Sequence, residues 1–138
     1  RRFMFDYGLA QLDTTALCDW AGECVDVTAQ RPMSDAELSR ARLNVCGYQH
    51  GDRPLKLKSD SGGIIPGRFN ATNFYYRMDT MPGQSGGPVF KWMANERRIT
   101  YAGVHVAGAD AHNFARRYDA DMQATMRSWL AKFATNRA

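Results

Sequence analysis

No apolar run in this chain approaches the roughly 20 residues a helix needs to cross a bilayer. A membrane-spanning helix is therefore excluded for these residues. Cysteine is scarce, at Cys18, Cys24 and Cys46. The count is odd and the spacing fits no common zinc pattern, which argues against a disulfide-dense scaffold or a zinc finger. Histidine is equally scarce, at His50, His105 and His112. No group of His, Asp and Glu has metal-ligand spacing, so neither a metal nor a cofactor is expected. The net charge of +4 comes from scattered residues such as Arg97, Arg98, Arg116 and Arg117. No basic stripe interleaved with aromatics is present, and no nucleic-acid partner is expected. Scattered basic charge favours acidic partners only weakly. Repeats and low-complexity stretches are absent. The start, Arg1-Arg2-Phe3-Met4, runs straight into a strand-like segment and does not read as a signal peptide.

What is present suits one globular domain. The chain has 138 residues and 44% hydrophobic content, enough for a sizeable core. Its patterning is mostly that of strands, at 3–12, 22–29, 42–48, 54–58, 62–66, 68–78, 88–93, 98–107 and 112–118. Period-2 alternation puts Ile99, Tyr101, Gly103, His105 and Ala107 on one face. Residues 30–41, with Pro32 and the polar 33–37 stretch, read as a link. The end is helical: Met122, Met126, Trp129, Leu130 and Phe133 recur at helical spacing as a core-facing stripe. Asp119 or Asp121 can cap its start.

The strongest chemical signal is Gly83-Gln84-Ser85-Gly86-Gly87-Pro88. A serine hydroxyl is a weak nucleophile, and the oxyanion its attack creates needs donors fixed in advance. A glycine two residues before the serine lets the Gly83 and Ser85 N–H groups aim at one spot. Gly86 and Gly87 would keep side chains away from a substrate, and Pro88 would open a strand. The motif resembles the nucleophile loop of chymotrypsin-fold serine proteases.

Further segments carry the same resemblance. Phe5-Asp6-Tyr7-Gly8-Leu9-Ala10 is similar to the stretch bearing the triad aspartate, and Ser85 follows Asp6 by about 80 residues. Val45-Cys46-Gly47-Tyr48 resembles the Gly-Tyr-Pro strand of glutamyl endopeptidases, with Gln49 where proline is usual. Met78-Asp79-Thr80-Met81-Pro82 and Gly103-Val104-His105 fit that subfamily too. The resemblance implies an all-β, double-barrel fold with a C-terminal helix. Residues 1–29 would finish the first barrel, 30–41 would link the barrels, 42–118 would form the second, and 119–138 the helix.

The implied activity is serine endopeptidase, with Ser85 as nucleophile, Asp6 as the orienting acid, and Gly83 with Ser85 as oxyanion hole. In that fold the histidine precedes the aspartate. All three histidines follow Asp6, and only five residues precede it. The resemblance thus implies an N-terminal segment or chain that supplies the histidine, a polypeptide substrate, and a secreted setting. A Cys18–Cys24 bridge with Cys46 left over is the preferred arrangement for an exported chain. Asn70-Ala71-Thr72 is a glycosylation sequon.

Two specificities remain open. In the glutamyl subfamily a threonine five residues before the serine and a histidine on a following strand bind an acidic side chain. Thr80 and His105 match. A hydroxyl and an imidazole suit a carboxylate. Alternatively Asp79, six before Ser85, would bind Lys or Arg as in trypsin-like enzymes. A third alternative is non-enzymatic: a protease-like binding module without the histidine.

Overall fold

The computed structural model describes residues 7–8, 27–96, 98–109 and 111–135. Asp6, the 3–12 strand apart from Tyr7 and Gly8, and the Cys18–Cys24 pair lie outside the described residues. Seven strands make up one antiparallel sheet: β1 Leu43–Tyr48, β2 Leu57–Gly62, β3 Ile64–Phe69, β4 Asn73–Tyr76, β5 Pro88–Met93, β6 Arg98–Ala109 and β7 His112–Arg117. Two helices accompany them, α1 Asp35–Arg40 and α2 Ala120–Thr135. The architecture is antiparallel β with one C-terminal helix, as the strand patterning indicates.

The strand order is β2-β1-β5-β6-β7-β4-β3. The two edge strands are therefore consecutive in the chain, separated by Gly63 alone. A flat sheet cannot place its opposite edges one residue apart, so this sheet curls into a half-barrel. The segment after β4 occupies the seam. A Cβ on Gly62 would lie 3.1 Å from Met78 Cγ. The Asp79 N–H donates to Asp60 Oδ2 at 2.6 Å, and Asn113 Nδ2 donates to the Met78 carbonyl at 2.7 Å.

The inner face is apolar. Leu43, Val45, Phe74, Tyr76, Val89, Ala102 and Ala115 are buried together, and Met33, Leu38 and Ala41 close one end. Each large side chain so buried contributes about 1.5–3 kcal/mol. A second cluster lies under α2: Tyr101, Tyr118, Met122 and Met126, with Tyr7 and Val104 packed against it.

Several boundaries differ from the sequence reading, each for a local reason. Residues 27–29 are a single 3-10 turn rather than the end of a strand. The 30–41 link contains α1, because Ser34 and Glu37 make a reciprocal capping box. The expected strand over 68–78 shrinks to β4. Asn70 Oδ1 accepts from the Thr72 and Asn73 N–H groups at 2.9 and 2.8 Å, so the sequon is an Asx turn. The expected 54–58 strand starts later, at Leu57, since Pro54 has no N–H to pair. The helix is capped by Asp119, whose Oδ1 accepts from the Met122 N–H at 2.8 Å. Met122 and Met126 are buried, but Leu130 is 43% exposed and leaves the stripe.

Candidate active site at the Gly83–Pro88 loop

The loop joins the seam segment to β5, and close backbone packing shapes it. Gly83 has φ +99°, a conformation that L side chains rarely adopt. A Cβ there would also lie 2.5 Å from the His50 backbone nitrogen. The His50 N–H donates to the Pro82 carbonyl at 2.7 Å, tying the loop to the β1–β2 turn. Gly87 is required from the other side. A Cβ on it would lie 2.2 Å from the Cys46 carbonyl oxygen. Its smallness thus serves the packing of the loop on β1, whereas the sequence reading had it clearing space for a substrate.

Gln84 holds the loop from within, and sequence reasoning missed it. Its side chain is only 3% exposed. Oε1 accepts from the Met81 N–H at 2.7 Å, and Nε2 donates to the Gly47 carbonyl at 3.4 Å. Gly47 makes room for it: a Cβ there would be 3.1 Å from Gln84 Cβ. A turn glutamine flanked by glycine and serine carries no burial signal in sequence. The loop then pairs with β6, since the Gly86 N–H donates to the His105 carbonyl and the His105 N–H to the Gly87 carbonyl, both at 2.8 Å.

Ser85 is exposed at the rim of a cavity of about 400 Å³. The lining includes Tyr7, Gly8, Tyr101, Val104 and His105. Its Oγ donates to the Val106 carbonyl at 2.8 Å. Among the described residues, no histidine side chain hydrogen-bonds this hydroxyl. Neither the Gly83 nor the Ser85 N–H donates to a described protein acceptor.

The three histidines have other surroundings. His105 is 3% exposed, and its Nδ1 shares a 2.6 Å hydrogen bond with the Tyr76 hydroxyl. Burial pushes its pKa below the ordinary imidazole value, and a backbone hydrogen bond at Phe114 works the other way. The Tyr76 partner was not anticipated; nothing in a tyrosine on a strand announces it. His50 is exposed, and His112 meets the Tyr75 ring edge-on at 5.2 Å.

The two specificity candidates separate in space. His105 lines the cavity that holds Ser85. Asp79 is exposed and lines a different cavity of about 470 Å³, with Lys58, Asp60 and Gln84. Thr80 is half-buried between them in sequence and lines neither of these two cavities. Cys46 is a free, half-buried thiol, pushed up in pKa by burial. Among the described residues no group of His, Cys, Asp and Glu is arranged to hold a metal ion. No helix among the described residues is long and apolar enough to cross a membrane.

No protein-family model matches the chain, and no curated protein matches it.

Proposed function

We propose that the chain carries the nucleophile of a chymotrypsin-type serine endopeptidase, with Ser85 as that nucleophile. The carrying observation is the exposure of Ser85 beside a cavity, on a loop whose Gly83 and Ser85 N–H groups donate to no described protein acceptor. Tyr7 and Gly8, which directly follow Asp6, line the same cavity, and this supports Asp6 as the acid. The base would be a histidine from outside these 138 residues. In the same reading the curled sheet is the second barrel of a pair.

The chemistry follows from these roles. Rotation about the Ser85 side chain frees Oγ from the Val106 carbonyl. Oγ attacks the peptide carbonyl carbon while its proton passes to the histidine. The oxygen that gains charge is held by the Gly83 and Ser85 N–H groups. The carbon–nitrogen bond breaks, the amine leaves with the proton from the imidazole, and water releases the acyl group by the reverse sequence. Asp6 holds the imidazolium that forms in between.

Acidic side chains before the scissile bond fit this reading best. His105 borders the cavity beside Ser85, whereas Asp79 borders another one. A peptide-library digest tests this: cleavage after Glu, lost in His105→Val and kept in Asp79→Ser, is the expected result. Cleavage after Lys or Arg that Asp79→Ser abolishes overturns it.

One observation favours a second reading. Ser85 Oγ is engaged by the Val106 carbonyl, as in a loop that only binds. Labelling by a fluorophosphonate, done on the complete enzyme with the segment that supplies the histidine, separates the two. The nucleophile reading requires labelling that Ser85→Ala abolishes, and hydrolysis that falls on the order of 10⁶-fold. Labelling that survives the substitution rules out Ser85, and no labelling of the wild type leaves the binding module.

A further inference from the structure

A cavity of about 790 Å³ is bounded by the segment before α1, by α1 itself and by the β5–β6 hairpin. It shares no lining residue with the cavity at Ser85. Its walls are tied to the rest of the fold. Gln30 pairs with β6: its Nε2 donates to the Ile99 carbonyl at 3.1 Å, and its Oε1 accepts from the Tyr101 N–H at 2.8 Å. Leu38 anchors α1 in the core. Met33, Ala36, Ala41 and Met93 give the cavity an apolar floor.

Charge of one sign surrounds that floor. Arg31, Arg40, Lys91 and Arg98 line the cavity, and among the described lining residues the one carboxylate is Glu37. That carboxylate is already engaged. One oxygen accepts from Arg31 Nη2, and the other accepts from Arg31 Nη1 at 2.7 Å and from the Ser34 N–H at 2.8 Å. Arg31 and Glu37 cancel, which leaves Arg40, Lys91 and Arg98 in excess. Lys91 is half-buried, and neither it nor Arg40 makes an ion pair or side-chain hydrogen bond with the described residues. Lys91 stands opposite Thr100 across the hairpin and Met93 opposite Arg98. The Lys91 and Arg98 side chains therefore share one face as diagonal neighbours, with Cα atoms about 7–8 Å apart. Arg40 stands on the helix wall.

We propose that this cavity binds an acidic peptide segment that carries apolar residues between its carboxylates. The apolar side chains enter the floor, and the carboxylates reach Arg40 on one wall and Lys91 and Arg98 on the other. The volume lies in the range of ligand pockets. The spread of the cations favours a peptide over a small anion: one carboxylate serves one wall, whereas carboxylates spaced along a chain serve both. The Lys91 ammonium gains in the complex the charged partner it lacks in the free protein. The inference stands apart from the Ser85 reading, because the two cavities have no residue in common.

Fluorescence anisotropy with a labelled Glu-Glu-Leu-Phe-Glu-Glu peptide tests the site. The complete protein carries Ser85→Ala, so that hydrolysis cannot consume the probe. Saturable binding is expected. Arg40→Ala and Lys91→Ala should each weaken it by about 3–10-fold, and Lys91→Glu by more, since attraction becomes repulsion. Lys56→Ala removes an exposed cation outside the cavity and should leave affinity within about twofold. Replacing Leu-Phe by Ser-Ser in the probe should weaken binding by about tenfold or more. Replacing every Glu by Gln should abolish it. Melting temperatures check that each variant is folded. Equal affinity for either altered peptide, or for Lys91→Glu, overturns the proposal. So does a loss in Lys56→Ala as large as in Lys91→Ala, which would mark attraction to the net charge of +4 alone. No saturable binding by the folded protein overturns it as well and leaves Ser85 as nucleophile, which fluorophosphonate labelling reads separately.

Discussion

At the scale of single residues, the loop is built by what its neighbours leave no room for. Gly87 faces the Cys46 carbonyl at a distance no Cβ tolerates. Gly87→Ala must push β1 and the loop apart, which costs about 1–3 kcal/mol as overpacking does elsewhere. Urea unfolding measures the loss, and labelling of Ser85 should fall with it because the N–H groups shift. Tyr76 and His105 form the other decisive pair. Tyr76→Phe leaves a buried imidazole nitrogen without its partner and should cost about 1–3 kcal/mol in the same measurement. A cost below a few tenths would show that the 2.6 Å contact carries no weight.

At the scale of elements, α1 shows how a short helix forms where the sequence suggests only a link. The Ser34 N–H donates to a Glu37 carboxylate oxygen at 2.8 Å, and Ser34 Oγ accepts from the Glu37 N–H at 3.3 Å. These bonds satisfy donors that a helix of six residues cannot satisfy itself. The helix then delivers Leu38 to the core, and the buried Arg117 reaches across to Asp35 at 2.7 Å and to the Met33 carbonyl at 2.7 Å. Ser34→Ala should lower stability by about 1 kcal/mol, read by thermal unfolding. Strands β1, β5, β6 and β7 were legible because alternation and turn residues act locally, whereas β2, β3 and β4 lie displaced from the expected 54–58, 62–66 and 68–78 segments. Pro88 opens β5 as its fixed φ suggested, and Asp119 caps α2. What stayed hidden depends on partners far along the chain. Gln84 is buried by Gly47, His105 is paired by Tyr76, and Tyr7 is flanked by Arg116 and Trp129. No local pattern encodes such meetings; the curl of the sheet creates them. The Ser85 motif was legible because its residues are contiguous, while the contacts that require its glycines, His50 for Gly83 and Cys46 for Gly87, were not.

At the scale of the whole molecule, titratable groups in separate parts of the fold set its response to acid. Asp60 on β2 accepts from the Asp79 and Ser61 N–H groups, and these bonds hold its pKa below the usual carboxylate value. Arg31 and Ser34 do the same for Glu37. His105 is shifted down as well, for another reason: burial disfavours its charged form, so its folded pKa lies below the ordinary value of about 6.5. The unfolded chain then binds the imidazole proton more readily than the folded one. Stability from His105 is full above about pH 6.5 and is lost as pH falls through the folded pKa. The carboxylates contribute fully above about pH 4 and lose their contribution below it. Acid should therefore weaken the fold in two stages, the imidazole first and the carboxylates second. Melting temperature followed from pH 8 to pH 3 reads both. His105→Leu should flatten the upper stage and leave the lower one, whereas Asp60→Asn should flatten part of the lower stage only. An upper stage that persists in His105→Leu would assign it to another group and remove the buried imidazole from the account of acid stability.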